Sequence, residues 1–288
     1  MQTNLDFTCA YGTLEPVSPL IRRIVANNPG PFTFRGTGTY VVGRGKVAII
    51  DPGPELAEHV EALLSALSGE TVTHILVTHT HRDHSPAAAA VKRATGAPTF
   101  GFGPHGLVGE TGEAGADLDF APDQRLRMGD VVEGAGWRLE AVHTPGHASN
   151  HLCFALAEEQ ALFSGDHVMG WSTTVVAPPD GNMAHYMRSL GHLSERRDAV
   201  YWPTHGGPIG DPSEHVRRLA QHRQARRAAV VAALGARPTS PATMVDAVYP
   251  GINPALRAAA QRSLSAHLIE LGEEGLALNE GGSWRLSR

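Results

Sequence analysis

Residues 78–85 read "THTHRDHS" and place three imidazoles and a carboxylate within six positions. The apolar, β-branched run "VTHILVTH" before them predicts a strand. "SPAAAAVKRATG" after them predicts a helix, with Ser85 as cap, Pro86 at the first position and Gly96 as the stop. His79 and His81 lie two apart on the extended chain, so their side chains share a side. The turn into the helix then carries Asp83 and His84 to the same place. One strand end can thus offer two ligands to one metal ion and two to a second beside it, at nitrogen–zinc distances of about 2.0–2.1 Å.

Four ligands do not fill two coordination spheres, and three other strand ends offer the rest. "VHTPGHASNH" supplies His147 after a Pro-Gly break, "LFSGDH" supplies Asp166 after a glycine, and "YWPTHGG" supplies His205 before two glycines. A carboxylate such as Asp166 can bridge two ions through its two oxygens.

On the N-terminal side, "TYVV" (39–42) and "KVAII" (46–50) flank Gly43-Arg44-Gly45 and read as a hairpin. Leu56, Val60, Leu63, Leu64 and Leu67 recur at helical spacing up to Gly69. Residues 101–125 are rich in Gly, Asp and Pro and read as loop. "WRLEAVHT", "HLCFAL" and "ALFSGD" read as strands, giving a mixed sheet covered by helices. Asp211-Pro212-Ser213-Glu214 opens a long helix that runs to about Gly235. "RPTSP" breaks the chain there. The remainder reads as helix (242–248), helix (254–272) and hairpin, the element order of a winged helix. The expected organisation is a catalytic unit over 1–235 and a winged-helix-like unit over 236–288.

The 288 residues are 42% apolar and 18% charged, with 24 Lys+Arg against 29 Asp+Glu and a net charge of −5. This excludes a broad basic field for nucleic acid or acidic membranes. There is no run long and apolar enough to span a membrane and no basic-then-apolar leader in "MQTNLDFTCAYG". Cys9 and Cys153 form no close-spaced motif, and Cys153 lies in an apolar strand, so both fit a reducing cytoplasm.

The ordered set of H-x-H-x-D-H at 79–84, "HTPGH", "SGD" and a late His-Gly resembles the metallo-β-lactamase superfamily. "NNPGPFTFRGTGTYVVG", "HGGPI" and the tail are similar to its lactamase-like branch with a C-terminal winged helix, which includes a mitochondrial endoribonuclease. The resemblance implies an αβ/βα sandwich with metals at the sheet edges. It implies one ion on His79, His81 and His147, a second on Asp83, His84 and His205, and Asp166 between them. The family pattern often has glycine where this chain has Thr204.

Two Zn²⁺ ions are the expected cofactors, with Mn²⁺ or Fe²⁺ also compatible with His/Asp donors. Such ions lower the pKa of bound water toward about 7, supplying hydroxide to attack a carbonyl or phosphoryl centre, with Asp83 as the catalytic proton acceptor. Three functions follow. The first is hydrolysis of a small ester, thioester or lactone. The second is phosphodiester cleavage of RNA, with Arg217, Arg218, Arg223, Arg226 and Arg227 as the dense basic cluster. The third is a non-catalytic, metal-stabilised binding module. The tail after Gly235, with five arginines against five acidic residues, weighs against RNA. His151, Trp171, Asn182 and His185 are the candidate substrate contacts. Asp51 before Pro-Gly reads as a structural turn residue and His143 as a packing residue. The sequence leaves the substrate and the oligomeric state open.

Overall fold

A computed structural model describes residues 4–106 and 115–287. Seven strands form the first sheet in sequence order: β1 (Glu15–Pro16), β2 (Ile21–Val25), β3 (Gly38–Val42), β4 (Lys46–Ile50), β5 (Thr71–Leu76), β6 (Thr99–Gly101) and β7 (Gln124–Arg125). The 39–50 hairpin is antiparallel, whereas β4–β5 and β5–β6 are parallel, joined by helices α1 (Ala57–Ala66) and α2 (Ala87–Thr95). The second sheet runs β12-β11-β10-β9-β8, from β8 (Val131–Gly134), β9 (Trp137–His143), β10 (Leu152–Leu156), β11 (Ala161–Gly165) and β12 (Val200–Pro203). Helix α3 (Met183–Ser194) connects the parallel pair β11–β12, and α4 (Pro212–Ala233) follows.

The period of two explains the layering. Tyr40, Val42, Ala48 and Ile50 face Leu139, Phe154 and Phe163 between the sheets. Their neighbours Val41, Val47 and Ile49 face the other way, onto Leu63 of α1 and Val91 of α2. On the far side, Val142, Cys153 and Leu162 pack under Leu190 of α3 and Val216 of α4. Strands covered on both faces are apolar throughout, as β10 and β11 are. The result is the αβ/βα sandwich expected.

The tail contains α5 (Pro241–Val248), α6 (Arg257–Glu273), β13 (Ala277–Glu280) and β14 (Ser283–Leu286), with the last two paired antiparallel. Thr239 pairs with Trp284 as the third edge of this wing. The expected break at residue 235 does not separate two cores. Helix α4 gives Val216 and Leu219 to the sandwich and Val230 to the tail, and Leu234 at its end follows Val230. No helix among the described residues is long and apolar enough to cross a membrane.

Two local expectations change. Helix α2 starts at Ala87 without a side-chain cap, because Ser85 donates its hydroxyl to Asp117 at 2.5 Å instead. Gly96 does end that helix, in the left-handed conformation that glycine adopts without strain. The stretch 101–125 is irregular apart from its two short strand ends, and its portion 107–114 lies outside the described residues.

Candidate metal centre

Every expected ligand stands on a loop just past a strand. Residues 79–84 follow β5, His147 follows β9, Asp166 follows β11 and His205 follows β12. The parallel pairs send β5 and β4 in one direction, and β11 and β12 in one direction, so their C-terminal ends meet at one edge of the sandwich.

Three overlapping groups of donor atoms form there: His79, His81 and His147; Asp83, His84 and His205; and His79, His84 and Asp166 between them. Nε2 of His79 lies 2.9 Å from Nδ1 of His81, and Nε2 of His147 lies 3.1 Å from the same atom. In the second group Oδ2 of Asp83 is 3.1 Å from Nε2 of His205 and 3.5 Å from Nε2 of His84. Asp166 reaches both. Its Oδ2 is 3.8 Å from His147 and 3.6 Å from His84, and its Oδ1 is 3.4 Å from His205. Tetrahedral bonds of about 2.0–2.1 Å put ligand atoms roughly 3.3 Å apart, within this spread.

The outer nitrogens fix how the rings present themselves. Nδ1 of His147 donates to the Val175 carbonyl at 2.7 Å and Nδ1 of His205 to the Gly36 carbonyl at 3.1 Å. Nδ1 of His84 donates to Oδ2 of Asp51 at 2.9 Å. Asp51 also accepts from the Thr78 amide at 2.7 Å, the Thr78 hydroxyl at 2.8 Å and the Thr204 hydroxyl at 3.0 Å. With its own proton given to Asp51, the Thr78 oxygen accepts from Nδ1 of His79 at 3.0 Å. Each of these four rings therefore turns Nε2 inward, the atom that ligation would use.

The inward atoms are otherwise orphaned. Nε2 of His84, Nε2 of His205 and Oδ1 of Asp166 are buried without a hydrogen-bond partner. Buried polar atoms rarely stay so, and three at one point fit a bound cation. Charge agrees. Burial and the neighbouring imidazoles of His84 and His81 hold His79 well below the usual histidine range, and burial holds His147 at about 4. Burial opposes the charge of His205, yet Asp166 and Asp83 push it up to about 10. Burial likewise opposes ionisation of Asp83 and Asp166, but surrounding histidines keep both carboxyls well below their ordinary values.

Of the candidate substrate contacts, His151 and Trp171 lie beside this cluster, and Asn182 and His185 lie at the start of α3. His151 is fully buried, with Nδ1 on the Thr144 hydroxyl at 2.8 Å and Nε2 accepting from the Asp166 amide at 3.2 Å. Both nitrogens are engaged, so it positions Asp166 and cannot meet a substrate. Asn182 caps α3, its side-chain oxygen accepting from the His185 amide at 2.9 Å, and His185 stands exposed on that first turn. Trp171 stacks on Phe34 with centroids 4.9 Å apart and lies against Gly206, the residue after His205. His143 stacks on Phe102 with centroids 4.2 Å apart.

Several supporting residues carry no local sequence signal. Arg23 is buried in β2 and donates to the carbonyls of Gly206 at 2.7 Å and Thr204 at 3.2 Å, bracketing His205. Thr204 supplies the hydroxyl that Asp51 accepts, which a glycine there would lack. Asn150 donates to the Thr80 hydroxyl at 2.8 Å, and that oxygen meets Nδ1 of His105 at 2.9 Å.

The five arginines of α4 do not form one face. Arg217 and Arg218 are exposed and both grip Glu214. Arg227 pairs with Glu274, Arg223 donates to the Thr174 carbonyl and Arg226 to the Val248 carbonyl. Three of the five thus join the helix to its neighbours.

The family described as "Metallo-beta-lactamase superfamily" matches residues 33–205, and that described as "Beta-lactamase associated winged helix domain" matches residues 240–284. The chain is 32% identical over 278 residues to the lactamase-like protein adaB of Aspergillus niger, covering 91% of this chain and 83% of that one. It is 33% identical over 226 residues to the atrochrysone carboxyl ACP thioesterase of Claviceps purpurea, covering 77% and 67%. The crystal structure of a metallo-beta-lactamase family protein from Thermus thermophilus superposes with a TM-score of 0.78 at 25% identity, covering 94% of this chain and 100% of that one.

Proposed function

The chain belongs to the metallo-beta-lactamase superfamily and is a hydrolase, and we propose that it hydrolyses a thioester with two divalent metal ions. The observation that carries this reading is the pair of donor groups joined by Asp166. His79, His81 and His147 would hold one ion, Asp83, His84 and His205 the other, and zinc fits this donor set, as iron or manganese would. Ions held there would lower the pKa of water toward about 7 and would polarise a carbonyl oxygen.

The chain's own groups do the rest. Asp83 is ionised and at the open side of the cluster, so it can orient the attacking water and accept its proton. Water oxygen bonds to the acyl carbon, the carbon–sulfur bond breaks, and the products are a carboxylic acid and a thiol. A thiolate, with an ordinary thiol pKa of about 8.5, departs without prior protonation, unlike an alkoxide or amide nitrogen. The Claviceps purpurea relative's name, a carboxyl ACP thioesterase, supports the same chemistry.

The test is metal analysis of the purified protein followed by a substrate panel. Two equivalents of metal and turnover of acyl thioesters above oxygen esters, lactones and phosphodiesters are expected. Cleavage of RNA or a phosphodiester with thioesters untouched would overturn the reading.

A further inference from the structure

A cleft of about 240 Å³ lies where the loops of the second sheet meet α4, α5 and α6. Phe32, Trp171, Tyr249, Ile252 and Leu256 give it an apolar, largely aromatic wall. One strip of that wall, residues 171–175, also supports the metal centre. The Thr174 hydroxyl donates to the Asp166 carbonyl at 2.6 Å, and the Val175 carbonyl accepts from His147. Trp171 touches Gly206 beside His205. The cleft therefore adjoins the reacting centre and has the tail as its far side.

Its polar atoms are unusual. The Tyr249 hydroxyl, Nε1 of Trp171, Nδ1 of His222 and the Nε atoms of Arg223 and Arg226 are buried and lack hydrogen-bond partners. All five residues line the cleft. Folded proteins pair nearly all such atoms, and four of the five, all but Nδ1 of His222, carry an N–H or O–H to donate, so the wall points to a ligand rich in acceptors. Charge adds to this. Arg217, Arg218 and Arg227 have carboxylate partners, whereas the cleft arginines Arg223 and Arg226 bond to main-chain carbonyls and show no carboxylate partner among the described residues.

We propose that this cleft binds the acyl part of the substrate, and that the acyl group is flat and carries acidic oxygen substituents, as a hydroxyaryl carboxylic acid does. Aromatic walls favour stacking on a planar group, and the donors and cations would be left unsatisfied by a linear alkyl chain. The volume suits one or two rings. The assignment rests on the thioester reading for the word acyl, while the ligand chemistry rests on the cleft alone.

Calorimetric titration of the full-length, metal-loaded protein with 6-hydroxy-2-naphthoate and with octanoate tests the ligand class. Hydrolysis of the N-acetylcysteamine thioesters of the same two acids tests the role. The naphthoate is expected to bind more tightly than octanoate and to compete with its own thioester. Tyr249→Phe and Arg226→Lys should each weaken it about tenfold and lower the naphthoyl-to-octanoyl ratio of kcat/KM about as much. Equal binding of the two acids overturns the proposal. So does naphthoate binding that fails to compete, which would mark an effector site. A preference seen with coenzyme A thioesters but absent with the phosphate-free N-acetylcysteamine thioesters also overturns it, since the cations would then read a carrier phosphate. If no thioester is turned over, the thioesterase reading fails, and the titration still decides what the cleft accepts.

Discussion

Asp83 stands at the open side of the cluster, its side chain 26% exposed beside the fully buried rings of His84 and His205. Asp83→Asn keeps the shape and removes the proton acceptor and a charged ligand. Turnover should fall at least about a hundredfold while the fold survives, and near-normal turnover with full metal content would falsify a catalytic role. Asp51 lies behind the ligands, joined to His84, Thr78 and Thr204 at once. Asp51→Asn puts an N–H donor where the network offers protons, so metal affinity should fall about 10–100-fold, as measured by competition with a chelator. Unchanged affinity would show that the network does not orient the ligands. That the seven candidate donors converge was legible in the sequence because imidazoles and carboxylates at strand ends of this spacing have few other uses. Thr204, Thr78 and Arg23 were not, because a threonine hydroxyl or a buried guanidinium acquires its role only from the partners folding brings to it. His151, a candidate substrate contact from the sequence, is buried at the end of the turn between β9 and β10.

Among the strands and helices, β2 shows why pattern alone falls short. "IRRIV" has two arginines in five residues, yet Arg23 is buried because two carbonyls of the His205 loop receive it. The strands β3, β4, β10 and β11 were legible because two-sided burial demands unbroken apolar runs. Helix α4 was legible from its cap, and Asp211 does accept from the Glu214 amide at 3.2 Å. What the sequence hid was which arginines of α4 face neighbours. That burial has a pH consequence at His222. Burial first, then Arg223 and Arg226, hold its pKa down to about 4, against about 6.5 in the unfolded chain. The folded state therefore resists a proton that the unfolded chain accepts. The stability contributed is intact above pH about 6.5 and is lost as pH falls from there toward 4. The urea midpoint should drop between pH 7 and pH 5, and His222→Gln should lessen that drop. An identical pH profile in the variant would show that His222 is not its source.

Across the complete chain, the tail is built into the sandwich. Val230 of α4 packs with Met244, Leu264 and Leu268, while Ala266 of α6 packs in the cluster under the second sheet. Helices α3 and α6 also meet directly. A chain cut after residue 235 leaves Val230 and Leu234 uncovered, each worth about 1.5–3 kcal/mol when buried. Its thermal midpoint should fall by several degrees and the fragment should aggregate. A fragment 1–235 that melts at the full-length temperature would show two independent units. The winged-helix order was readable from spacing, but this sharing was not, because Val230 and Val231 look alike in a helix until the packing partner is known.

The seven candidate donors are spread along the chain from His79 to His205 over four loops, those after β5, β9, β11 and β12. On the ribosome, the three-imidazole set is complete once His147 has emerged, whereas the second set waits for His205, beyond α3 and β12. Since domains fold as their chain appears, the growing polypeptide owns one set of donors well before the other. On the two-metal proposal, the order of synthesis is the order in which the two donor sets become available to a metal.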